Sequence, residues 1–147
     1  MIDFDALDAA LHARIRATVP ALADLGTADA IDDELLARRV RPPAAFTCLL
    51  RRNAKRRVPG SPKQMQLLEV RIGIITAGVP LTSGAVTGPE GSNAIKRLLM
   101  KALHGWALPG TGTSGILDFA EEDRIGAVAG RSLWEQVYVT TLQETYS

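Results

Sequence analysis

Two histidines, His12 and His104, and one cysteine, Cys48, are the whole supply of imidazole and thiol in this 147-residue sequence. Nucleophilic catalysis needs a Ser or Cys hydrogen-bonded to a His that an acid orients. Cys48 sits in the apolar run AAFTCLLR and reads as a small buried hydrophobe. Both histidines fall at polar or intermediate positions of helical patterns, where a solvated imidazole is ordinary. A single thiol forms no internal disulfide, and this set is too small for a multi-histidine or all-cysteine metal centre. Clustered carboxylates bind Mg²⁺, which brings Glu121, Glu122 and Asp123 into view. On a strand, however, successive side chains point to opposite faces, so only Glu121 and Asp123 share a side. Gly110-Thr111-Gly112-Thr113-Ser114-Gly115 spells G-x-G-x-x-G. The dinucleotide fingerprint needs that string between a strand and a helix. Here a helical pattern precedes it and a strand pattern follows, so a turn is expected. No catalytic residue, metal ligand or cofactor is expected from these groups.

Positive charge is the exception. Arg51, Arg52, Lys55, Arg56 and Arg57 fall within seven positions. They lie inside a stretch, 38–63, with nine bases and no acid, whereas residues 1–37 hold eight acids against Arg14 and Arg16. The formal net charge of +1 conceals this segregation. Clustered cations repel one another and favour a polyanion or an acidic surface as neighbour. No aromatic residues interleave to stack bases, so sequence-independent contact with a DNA backbone is the most such a run supports. The acidic N-terminal third, with Asp29, Asp32 and Asp33, offers a second partner if copies of the chain meet. A solvated loop is the third reading.

These groups must be carried by elements that the apolar pattern predicts. Apolar residues make up 46 % of the chain, charged residues 22 % and aromatic residues 5 %, so a core of Leu, Ile, Val and Ala is expected within one domain, 1–147. No apolar stretch approaches the roughly 20 residues of a membrane span. The acidic start MIDFDALDAAL lacks the basic region of a secretory signal, so a soluble protein of a reducing compartment is expected. Phe4, Leu7, Leu11, Ile15, Val19 and Leu22 recur at helical spacing, predicting an N-terminal helix within 1–24 that Pro20 ends or kinks. Leu25-Gly26-Thr27 reads as a turn, and Asp29 to Arg39 as a short helix. Strands are predicted over 44–51, 66–77, 116–128 and 133–145, the last two joined as a hairpin by Ala129-Gly130-Arg131. A basic loop, 51–63, and a flexible loop, 78–92, separate them. A second helix starts at a Ser92 or Asn93 cap and stops at Pro109. Its apolar face carries Ile95, Leu99 and Leu103, and its polar face Lys96, Arg97, Lys101 and His104. The sum is an α+β fold: an antiparallel sheet of about four strands with two main helices packed on one face. In the last strand, Trp134, Gln136, Tyr138, Thr140 and Leu142 share one side, while Leu133, Val137 and Val139 lie on the other. With apolar groups on both sides, the second face must be covered by long loops or by a partner.

The order of these elements resembles the small tail terminator proteins of long-tailed, Mu-like bacteriophages. The resemblance spans nearly the whole chain. It is carried by Pro42-Pro43-Ala44-Ala45 at a strand start, VRIGII at 70–75, and the helix IKRLLMKALHGW with Leu99, Leu103, Gly105 and Trp106. The closing strand LWEQVYVTTLQ with Trp134 and Tyr138 completes it. It implies a non-enzymatic structural protein of the virion, made in the host cytoplasm. Copies would assemble as a ring, typically a homohexamer, on the head-proximal end of the tail tube. The ring would end tube growth and meet the head's neck proteins while DNA passes through its centre. A closed ring needs two different complementary surfaces per subunit; Trp134, Tyr138, Asp29, Asp32 and Asp33 are the candidate interface residues. The basic run would then face the DNA-filled lumen or a neighbouring subunit. The alternatives are another neck, tail-completion or tube-like subunit, and a small nonspecific DNA-binding module.

Overall fold

Asp3 starts the first helix by accepting a hydrogen bond from the Ala6 amide, 3.1 Å, and Asp5 in the first turn adds negative charge at the positive end of the helix dipole. Helix α1 (Phe4–Thr18) then buries Leu7, Leu11 and Ile15, with Val19 beyond its end. It stops where Pro20 requires. The computed structural model describes residues 2–27, 41, 43–57, 65–78, 91–109, 115–128 and 131–145. The short helix expected at 29–39, with Asp29, Asp32 and Asp33, falls outside the described residues. So do 79–90 of the Gly/Pro-rich stretch and 110–114 of the GTGTSG turn.

Among the described residues five strands follow α1: β1 (Asp24–Thr27), β2 (Ala44–Arg57), β3 (Met65–Ala77), β4 (Asp118–Val128) and β5 (Arg131–Thr145). Helix α2 (Ser92–Leu103) lies between β3 and β4. The strands form one sheet in the order β1-β2-β3-β5-β4. Every neighbouring pair is antiparallel except β1 and β2, which run parallel from Asp24↔Ala44 to Thr27↔Thr47. The sheet is therefore mixed and five-stranded, not antiparallel and four-stranded. The added strand is the segment expected to be a turn. Four residues show no readable alternation, and Gly26 is a turn-former by type; what makes it a strand is β2 beside it, with the Phe46 ring packed over Gly26.

The second correction concerns β2. Its pairing with β3 continues past Leu49 to Arg57↔Gln66, so Arg51, Arg52, Lys55, Arg56 and Arg57 lie on a strand and not in a loop. Bulges between Leu49 and Arg51 and between Ala54 and Arg56 shift the phase of alternation. The period-two signal is lost there although the ladder persists.

Both helices pack on one sheet face, as expected. The main core joins Leu7, Leu11 and Ile15 of α1, Ile95, Leu99 and Leu103 of α2, and Val70, Ile72, Ile74, Tyr138 and Leu142 of the sheet. Each fully buried aliphatic side chain of this kind contributes about 1.5–3 kcal/mol. Helix α2 ends at Leu103, six residues short of Pro109, because Gly105 takes a left-handed backbone (φ 79°) that reverses the chain. Its N-cap is Gly91, without a side-chain cap, and not Ser92 or Asn93. On the second face a smaller cluster joins Ala44, Ala77 and Leu133, with Phe46 against it.

Candidate assembly surfaces and the polar networks behind them

Three features gather the chemistry-bearing residues: a polar cluster under α1, a buried network under α2, and the two outer edges of the sheet. In the first, Asp8 accepts from the hydroxyls of Thr47 and Thr27, each at 2.5 Å. His12 Nε2 lies 2.8 Å from Thr47 Oγ1 and 3.6 Å from Asp8 Oδ2. A Thr, a His and an Asp in contact suggest a nucleophile with its base, but the geometry does not supply one. One imidazole nitrogen meets both partners, whereas a triad places acid and nucleophile on opposite nitrogens. The Thr47 hydroxyl proton is already directed to Asp8, and Thr47 is only 1 % exposed. What the cluster does is tie α1 to β1 and β2. It borders a cavity of about 190 Å³, lined mainly by apolar side chains such as Phe4, Leu7, Leu49 and Val70.

The second feature is a polar strip inside the helix-sheet interface. Lys96 of α2 is 6 % exposed, with its Nζ 3.3 Å from the centroid of the Trp134 ring and 3.5 Å from Glu122 Oε2. Gln136 Nε2 donates to the Lys96 carbonyl at 2.9 Å and to Glu122 Oε1 at 3.0 Å. Tyr138 donates its hydroxyl to Gln136 Oε1 at 3.0 Å and meets the Phe119 ring edge-on. Burial, with the charge of Glu122 adding to it, raises the Tyr138 phenol well above its ordinary pKa, so it remains a donor. This strip corrects the placement of Lys96 on the polar face of its helix. It also places Trp134 and Tyr138: Tyr138 is 1 % exposed in the core and Trp134 lies under Lys96, so neither side chain is on the outer face of the sheet.

The third feature is the pair of outer edges. Among the described residues strand β4 ends the sheet on one side. On the other, β1 covers only residues 44–47 of β2, and among the described residues no strand pairs with the outer side of 49–57. On the face away from the helices, Arg51 stands directly across from Arg71, and Asp123 from Glu135, with Glu121 on the same face. Burial first, and then the charges of Glu121 and Asp123, raise the Glu135 carboxyl above its usual range. Glu121 and Asp123 thus share a side as expected, but among the described residues no group of three or more His, Cys, Asp or Glu is placed to hold a metal ion. Arg52, on the helix face, lies over the Phe4 ring at 4.9 Å. That contact brings the N-terminal helix beside the basic strand within one chain.

The profile of the phage tail terminator protein family matches residues 2–146. The chain belongs to that family. A chain from the virion of a native gene transfer agent (GTA) particle shares 16 % identity with this terminator, over 96 % of this chain and 91 % of that one, at a TM-score of 0.45. No protein of curated function matches the sequence.

Membership makes the terminator a structural protein of phage tails, in agreement with the resemblance its sequence carries. Among its described residues no helix is long and apolar enough to cross a membrane. The GTGTSG stretch lies between two segments that pair with each other, Ala107 bridging to Ile116 and the Leu108 amide donating to the Gly115 carbonyl at 3.0 Å. It therefore connects two adjacent extended segments, which is not the strand-to-helix setting of a pyrophosphate loop. Of the terminator's polar networks, the sequence hinted at one: Gln136 shares a side with Trp134, Tyr138 and Leu142. Nothing in the local pattern marked Asp8, Thr27 and Thr47 as partners, because they come from three separate elements.

Proposed function

We propose that this terminator assembles as a ring, six copies in the simplest closure, on the head-proximal end of the tail tube. It ends tube polymerisation there and presents the surface that the head's neck proteins join. The observation that carries this reading is the family match across residues 2–146. The molecule's chemistry is consistent with it: the clusters described above hold helices to the sheet and offer no activated nucleophile, and the work of the protein is assembly without catalysis.

The test is removal of the gene from the phage or prophage that encodes it. Tails are expected to grow past their normal length or to remain unjoined to heads, and purified protein added back is expected to bind tube ends and restore joining. Tails of normal length that join heads without the protein would overturn the proposal. Length control that persists while joining alone fails would place the chain elsewhere in the neck.

A further inference from the structure

We propose that the outer edge of β4 in one copy pairs antiparallel with residues 49–57 of β2 in the next, so that the acidic side of each sheet meets the basic side of its neighbour. The proposal rests on the ring reading above and names the surfaces that close the ring.

Three observations converge on these two edges. The first is charge on a common face. Arg51 faces Arg71 across β2 and β3, and Asp123 faces Glu135 across β4 and β5. Like charges directly opposite each other destabilise a sheet. Here the basic pair stands near one outer edge and the acidic pair near the other, and the registers place both pairs on the same face. Glu69, 3.9 Å from Arg71, relieves the basic side in part. On the acidic side burial first, and then the charges of Glu121 and Asp123, raise the pKa of Glu135. An incoming arginine beside Asp123 and Glu121 would relieve both pairs at once. The sequence adds Lys55, Arg56 and Arg57 further along the same edge.

The second observation is where apolar surface remains exposed. Among the described residues the exposed large hydrophobics are Leu49, Leu50, Ile116 and Ile125. Leu49 and Leu50 lie on the open part of β2, Ile125 lies on β4, and Ile116 lies two residues before β4 begins. The third is direction. Strand β5 runs parallel to β2, and β4 runs against both. Copies set head to tail therefore bring β4 beside β2 in the antiparallel sense that a continuing sheet favours. Because β1 already covers 44–47, the neighbour must dock further along β2, and successive sheets are staggered along the strands. The contact is heterologous, two different surfaces per copy, as a ring demands.

Two variants and their mixture test this. Arg51→Glu places a carboxylate where Asp123 and Glu121 of the next copy would dock; Glu121→Lys with Asp123→Lys places ammonium groups where Arg51 of the next copy would dock. Arg52 is left intact because it packs on Phe4. In sedimentation velocity over a concentration series, each variant alone is expected to need at least about tenfold more protein than wild type to assemble. An equimolar mixture is expected to recover wild-type assembly, since opposite charges then meet where the two variants dock. Variants that assemble like wild type would overturn the edge pairing and leave the ring reading standing. Loss of assembly that mixing does not repair would also overturn it, as would unchanged assembly with loss of DNA retention, which would turn the basic edge toward DNA. A wild-type chain that stays monomeric at every concentration and on tube ends would remove the ring reading itself.

Discussion

The ammonium of Lys96 stands 3.3 Å from the centroid of the Trp134 ring and 3.5 Å from Glu122 Oε2, inside the seam between α2 and the sheet. A cation so placed gains from the ring quadrupole and from the carboxylate, and together these offset its loss of water. Lys96→Ala is expected to destabilise the chain by about 2–4 kcal/mol, because it leaves a cavity and a half-buried Glu122 without its cation. Lys96→Met keeps the stem, and paired with Glu122→Gln it is expected to recover at least half of that loss. Urea denaturation followed by tryptophan fluorescence checks both. Equal stability for Lys96→Ala and wild type would mean that the contact contributes nothing.

Tyr138 anchors the other end of the same strip. Tyr138→Phe keeps the edge-on contact with Phe119 but deprives buried Gln136 Oε1 of its donor, at an expected cost of about 1–2 kcal/mol. The pH dependence has a definite sign. The folded phenol holds its proton above the ordinary value of 10, while the unfolded one releases it. Stability is therefore expected to fall as pH rises above 10, and to fall less steeply in Tyr138→Phe. Denaturation curves on both sides of that pH provide the comparison.

Glu135 titrates with the same sign in a lower range. Its folded pKa lies above the ordinary 4.5, so its stabilising contribution is complete below that pH and is lost as pH rises through the folded value. Glu135→Gln is expected to be more stable than wild type at neutral pH and to show a flatter stability profile above pH 4.5. A variant less stable than wild type at neutral pH would show that burial and the charges of Glu121 and Asp123 do not disfavour the Glu135 carboxylate.

Asp8 holds two hydroxyls, one of them buried. Asp8→Ala is expected to cost about 2 kcal/mol, since hydrogen bonds to a charged acceptor are the stronger kind. Thr47→Val in the same chain removes the hydroxyl that has lost its carboxylate acceptor and keeps only His12 Nε2 beside it, and is expected to return part of that loss. A double-mutant cycle in thermal denaturation measures the coupling. Strict additivity of the two changes would contradict the cluster.

Gly78 and Gly126 give a paired control on backbone approach. A Cβ at Gly78 would lie 2.9 Å from the backbone of Ser92, forcing the end of β3 away from the first turn of α2, whereas a Cβ at Gly126 meets nothing within 4 Å. Gly78→Ala is expected to lose about 2 kcal/mol and Gly126→Ala to stay within about 0.5 kcal/mol of wild type, as melting temperatures will show.

Much of this terminator was legible from local pattern. The 3.6-residue stripe of α1, the alternation of Val70, Ile72 and Ile74, and the two-sided run of β5 depend only on which residues recur at which spacing, and they fixed both helices, four strands and the α+β class. The same alternation placed Trp134, Gln136, Tyr138 and Leu142 on one face. Where a bulge breaks the phase, as at Leu49 to Arg51, the pattern stopped early and the basic strand read as a loop.

What the order of residues determined, then, was each element's own periodicity and the segregation of charge along the chain. Tertiary structure decided which elements lie side by side, and with that several meanings changed. Four residues around Gly26 became a strand because β2 offered them a ladder. Lys96 became an interior residue because Trp134, Glu122 and Gln136 arrive from strands 26 to 40 positions away. The charge pairs Arg51/Arg71 and Asp123/Glu135 exist only through strand register. Periodicity is a property of neighbours along the chain. Burial, pairing and the sign of an edge are properties of neighbours in space.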